Sequence, residues 1–127
     1  MSSHVLPPPV APAELAAPST VVHKFGGTSV ADAERYRHVG GLLRARPESQ
    51  QVTVVSAMKG VTDALIELAQ LAARGDEGWR EAWHALRARH RGAAVALLGE
   101  QVGDTVEWIA ARFEQLSEVL AALTVIG

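Results

Sequence analysis

At 127 residues the chain is long enough for one modest domain with a real core. Hydrophobic residues make up 48% of it, which excludes a disordered chain, and a net charge of −2 gives no electrostatic case for a nucleic-acid partner. With no cysteine there is neither a disulfide framework nor a thiolate zinc site, and no apolar run approaches the ~18 residues that span a bilayer.

Residues 1–19 hold Pro7, Pro8, Pro9, Pro12 and Pro18. Each proline fixes φ and removes a backbone donor, so neither a helix nor an interior strand fits, and a flexible leader is expected. The basic start and apolar stretch of a signal peptide are missing. The cytoplasm is therefore the expected location, with no membrane among the partners.

Residues 20–75 read as an α/β unit. "TVVHKF" is a short β-branched run stopped by Gly26 and Gly27. Val30, Ala33, Tyr36, Val39, Leu42 and Leu43 then recur at helical spacing, and Pro47 stops that pattern. "QVTVVSA" reads as a second, more continuously apolar strand, broken by Gly60. Leu65, Leu68, Ala69 and Ala72 mark a second helix ending near Gly75. Strand, helix, strand, helix in this order predicts neighbouring parallel strands with a right-handed crossover.

Residues 76–123 change character and carry no strand signal. Trp79, Trp83, Leu86, His90, Ala93 and Leu97 recur at helical intervals. Val102, Val106, Ile109, Phe113, Leu116, Leu120 and Leu123 follow in steps of 4, 3, 4, 3, 4 and 3, a heptad-type seam. With "GEQVGD" as the turn, these residues predict an antiparallel helical hairpin. The pattern alone fits either the α/β unit or a second copy of the chain as its partner.

The chemistry concentrates in "VVHKFGGTSVAD", residues 21–32. Lys24 falls at the carboxyl end of a parallel strand, the edge where open α/β sheets bind ligands. Gly26 and Gly27 leave the backbone bare, so a phosphate can approach it closely. Ser29 and Asp32 have the spacing of a capping box at a helix start, whose free amides favour anions. The order of residues is not that of a P-loop. A glycine turn with a capped helix and a surface lysine fits the same letters.

"KFGGTSVAD" resembles the signature of the aspartate kinases, in the amino-acid kinase superfamily. "VVSAMKGVTDAL", residues 54–65, resembles that family's second motif, and two motifs in the family order are more specific than either alone. The likeness is strong over residues 21 to about 75. The helical segment to 123 is similar to the helical insertion of the longer aspartate kinases. "VHKFGG" behind a leader is most like the bifunctional aspartokinase–homoserine dehydrogenases.

The resemblance implies the start of a three-layer, parallel-sheet amino-acid-kinase domain with a helical hairpin insertion, truncated at Gly127. It implies transfer of the ATP γ-phosphoryl group to the β-carboxylate of L-aspartate, the entry to lysine, threonine and methionine. Such transfer needs positioning and charge neutralisation more than covalent chemistry. Lys24 would be the catalytic cation. Lys24, Phe25, Gly26, Gly27, Thr28 and Ser29 would face ATP, with the Phe25 side chain packed inward. Ser29, Ser56 and Thr62 would face aspartate, and Ser29 and Thr62 would also cap the two helices. Mg²⁺ would come with ATP and be held mainly by residues outside this chain.

In the family a glutamate motif, an aspartate-binding arginine, the adenine site and ACT domains follow. The expectation is thus an amino-terminal part of a larger enzyme, inactive alone, with an exposed sheet edge and a tendency to form homo-oligomers.

Other residues have plainer readings. Lys59 is expected to be solvated and His23 packed or hydrogen-bonded. Trp79 and Trp83 are expected in the core. His84 and His90 lie six apart and share no helix face well, so no protein-held metal is expected. Two alternatives to an aspartate kinase remain from the letters: a non-catalytic interaction module using the hairpin, or another amino-acid kinase.

Overall fold

The computed structural model describes residues 20–48 and 50–127. The leader expected over residues 1–19 lies outside them. The chain runs through β1 (Thr20–Phe25), α1 (Ala33–Arg44), β2 (Gln50–Val55), α2 (Val61–Ala73), α3 (Trp79–Leu98) and α4 (Gly103–Ile126), with a 3-10 turn at Gly99–Val102.

β1 and β2 pair in parallel, from Thr20 opposite Gln50 to Phe25 opposite Val55. Parallel neighbours need a long crossover, and α1 supplies it. Val21, His23 and Phe25 are half-buried and alternate with exposed Thr20, Val22 and Lys24. The half-buried side faces α1: Phe25, Val39 and Leu42 line one cavity. Gln51 Nε2 also donates to the Leu43 carbonyl at 3.3 Å.

The opposite face carries Val22, Val52 and Val54, which are 65%, 49% and 48% exposed. β2 is exposed along its whole length. The run is apolar yet uncovered, because the described sheet has only these two strands. A strand with so few neighbours keeps its valines in water.

Helix boundaries correct two expectations. Ser29 does not cap α1. Its N–H donates to the Gly26 carbonyl at 2.9 Å, closing a turn, and the helix begins later. Asp32 is the cap, in extended backbone, and accepts from the Arg35 N–H at 2.9 Å. α1 then stops at Arg44, ahead of Pro47, because a proline disfavours helical backbone at the residue before it. Thr62 does not cap α2 either. Gly60 holds that position at φ +80°, so Thr62 is already inside the first turn.

α2, α3 and α4 share one core. Met58, Val61, Leu68, Ala72, Trp79, Trp83, Leu86, Phe113 and Leu120 form it. The hairpin therefore packs on α2. Every seam position from Val102 to Leu123 is buried or half-buried, as the heptad spacing predicts. Trp83 Nε1 donates to the Phe113 carbonyl at 2.9 Å, joining α3 to α4. His90 Nδ1 donates to the Leu86 carbonyl at 2.8 Å, and its ring stands edge-on to Phe113.

Candidate functional site

Parallel pairing puts the carboxyl ends of β1 and β2 at the same edge. The loops leaving them, residues 26–32 and 56–60, start side by side. The ladder continues past the strands, since the Ser56 N–H donates to the Phe25 carbonyl at 2.9 Å. One step on, the loops touch. A Cβ built on Gly27 would stand 3.2 Å from the Ala57 carbonyl oxygen and 3.6 Å from both Ser56 Oγ and Lys59 Cα. Glycine is needed there for contact rather than for a left-handed turn, because only Gly60, Gly75 and Gly99 have positive φ among the described residues. Gly26 differs: nothing lies within 4 Å of its Cβ position, so its backbone faces open space.

Each loop is anchored by one apolar side chain. Val30 is fully buried beneath the first, and Met58, 7% exposed, joins the helical core beneath the second. Between these anchors the polar residues point outward. Lys24, Thr28, Ser29, Ser56 and Thr62 are all exposed. Phe25 turns the other way. It stacks with His23, their centroids 6.4 Å apart, and shares a cavity with Ser29, Arg35 and His38. Its backbone, through the bond to Ser56, is the part that belongs to the loop junction.

The structure thus sets Gly27 so close to the second loop that a Cβ there would meet the Ala57 carbonyl and Ser56 Oγ, and sets Phe25 and Ser29 around one cavity. Among the described residues no hydrogen bond or ion pair ties Lys24 or Thr62 to the others. Both side chains are unengaged at the loop mouths. Lys59 is exposed, while Trp79 and Trp83 are core residues.

The donor set suits an anion. It comprises an ammonium group, a bare stretch of backbone at Gly26, and hydroxyls from Thr28, Ser29, Ser56 and Thr62. The first turn of α2 adds to it, because its cap is a glycine with no side-chain bond to the helix amides. The one carboxylate of the loops, Asp32, is engaged by the Arg35 amide. Among the described residues no group of three or more histidines and carboxylates could hold a metal ion. No helix there is long and apolar enough to cross a membrane.

Sequence reasoning missed Arg89. It stands on α3, far along the chain, and its Nη2 donates to the Ala31 carbonyl at 3.1 Å. Its Nη1 lies 3.9 Å from the Cβ position of Gly60. No local pattern could have found this contact, since it depends on how α3 docks. Met58 was also unmarked, although an apolar residue between Ala57 and Lys59 is a signal of loop anchoring.

Parallel strands that open into two adjacent loops of bare backbone, hydroxyls and lysine define an α/β unit whose candidate site lies at the carboxyl ends of its strands, the edge where open α/β sheets bind ligands. Residues 19–123 match the amino acid kinase family, and the chain belongs to that family. The bifunctional aspartokinase/homoserine dehydrogenase 1, chloroplastic, of Arabidopsis thaliana is 32% identical over 110 residues, 86% of this chain and 12% of its own length. The corresponding chloroplastic enzyme of Daucus carota is 37% identical over 79 residues, 62% of this chain and 9% of its own. An aspartokinase of Mycobacterium tuberculosis (strain ATCC 25618 / H37Rv) is 52% identical over 52 residues, 39% of this chain and 12% of its own. The chain thus spans only about an eighth of the curated relatives it matches.

Proposed function

We propose that this chain carries the phosphate corner and part of the aspartate site of an aspartate kinase. In that reaction an oxygen of the aspartate β-carboxylate attacks the γ-phosphorus of ATP. The bond from that phosphorus to the bridging oxygen breaks, and ADP leaves. Lys24 neutralises the charge of the moving phosphoryl group. The Gly26 and Gly27 backbone, with Thr28 and Ser29, takes phosphate oxygens. Ser56 and Thr62, with Ser29, face aspartate. Mg²⁺ arrives with the nucleotide and neutralises phosphate charge, since the loops offer it no free carboxylate.

The observation that carries this reading is the close approach of the two loops, joined by the Ser56 N–H to Phe25 carbonyl bond and packed so that a Cβ on Gly27 would stand 3.2 Å from the Ala57 carbonyl oxygen. It places the two motifs at one mouth in a chain whose relatives bear the name aspartokinase. The residue roles are those that the resemblance of the two motifs implies, and the exposed donors at that mouth are compatible with them.

The test is an amide NMR titration of the chain with Mg-ATP and then aspartate, repeated with Lys24→Ala. Shifts confined to residues 24–29 and the surroundings of Thr62, lost in the variant, are expected. Silence there at millimolar ligand contradicts the proposal, and shifts confined to α4 under a protein partner would favour an interaction module. A coupled assay of the chain alone should show no aspartate-dependent ADP release. Turnover that depends on Lys24 would overturn this second expectation.

A further inference from the structure

The helical hairpin looks like an appendage in sequence, yet one face of α3 lies against the candidate site. Arg89, Gly92, Ala93 and Ala96 fall at helical spacing on that face. With Ala31, Asp32, Ala33 and Met58 they line a single cavity. The small residues let α3 approach the start of α1 closely. Two arginines then cross the gap in opposite directions. Arg37 of α1 donates to the Ala96 carbonyl of α3. Arg89 of α3 donates to the Ala31 carbonyl, at the end of the first site loop. The same guanidinium lies beside Gly60, at the end of the second site loop.

We propose that Arg89 is a positioning residue of the kinase site, holding the two loops at fixed separation so that Lys24, Gly26, Ser56 and Thr62 meet one ligand. The proposal rests on the kinase reading of those loops. Its physical content is narrow. The Ala31 carbonyl precedes the Asp32 cap, and Gly60 is the cap of α2, so Arg89 acts where both helices begin. The guanidinium is hydrogen-bonded to the first point through Nη2, and its Nη1 edge lies alongside the second, 3.9 Å from where a Gly60 Cβ would stand; a lysine ammonium keeps the bond but lacks the planar second edge. The hairpin then belongs to the binding apparatus, and loosening Arg89 leaves every ligand-contacting group present but less often in register. Ligand affinity falls by the fraction of time the loops are in place.

The experiment measures amide hydrogen exchange on the 127-residue chain, with Arg89→Ala, Arg89→Lys and the control Arg91→Ala. Arg91 lies on the same helix and is exposed. In Arg89→Ala the Ser29 and Val61 amides, which close the two loop turns, should exchange about tenfold faster, while Phe113 and Leu120 of the core keep their rates. Arg89→Lys should restore Ser29 and leave Val61 fast. Arg91→Ala should change neither.

Mg-ATP titration adds the functional arm. Arg89→Ala should weaken binding about three- to tenfold with the same limiting shifts, a pattern unlike the lost response of Lys24→Ala. If core and loop amides accelerate together with a fall in melting temperature, Arg89 is merely structural and the proposal fails. Unchanged loop exchange also overturns it. If the parent chain ignores Mg-ATP, the kinase reading fails, while the exchange data still decide whether Arg89 ties the loops.

Discussion

Gly26 and Gly27 are neighbours with different physical duties, and substitutions separate them. A methyl group on Gly27 must push against the Ala57 carbonyl, 3.2 Å away, and backbone yields poorly. Gly27→Ala should cost about 1–3 kcal/mol, as overpacking does, and move the Ser56 and Ala57 amide resonances. Gly26→Ala meets nothing and has no positive φ to protect, so its stability should stay within about 0.5 kcal/mol of the parent. On the proposed function its Cβ stands between phosphate and backbone, so its Mg-ATP response should fall instead. Urea unfolding and NMR titration on the two variants give opposite profiles. Equal stability losses would mean that the loops do not touch as described.

At the scale of elements, the caps show what a local pattern can and cannot say. Ser29 and Asp32 have capping-box spacing, and spacing alone cannot tell which end of the box is the cap. The Gly26–Ser29 turn decides it, by using the Ser29 amide and delaying the helix until Asp32. Asp32→Ala should therefore cost about 1 kcal/mol in chemical unfolding, and Ser29→Ala less than about 0.5. The reverse order would restore Ser29 as the cap. Gly60 in the left-handed region could not be foreseen either, because a glycine before a helix fits a turn, a cap or a break. The long seams were plain: Val106 to Leu123 repeats too regularly to be anything but one helix face, and Val102 caps it. The strand order was legible for a similar reason, since β-branched runs separated by a helical stretch leave few topologies. Arg89 was not, because its hydrogen-bond partner is 58 residues back at Ala31 and it borders Gly60 only through the docking of α3.

For the whole molecule, the open question of energy is the sheet. Its outer face holds Val22, Val52 and Val54, each about half or more exposed, and both strands have a free edge among the described residues. Such edges and faces attract further chain. Burying a valine fully is worth about 1.5–3 kcal/mol, so covering the three roughly half-exposed ones on each of two copies supplies several kcal/mol. Association costs at least about 4 kcal/mol in lost freedom of motion. Edge hydrogen bonds must make up the rest, at about 1 kcal/mol net apiece. The balance predicts weak self-association, visible by light scattering only toward the upper end of accessible concentrations. Val22 and Val52 are direct ladder partners, so Val22→Lys with Val52→Glu replaces an apolar pair by an opposite-charge pair on the same face. That double variant should stay monomeric at every concentration and melt near the parent temperature. A parent chain that is monomeric throughout would end the expectation of a homo-oligomer. Association that survives in the variant would move the contact to another surface, with Trp108 of α4, 61% exposed, the first residue to test.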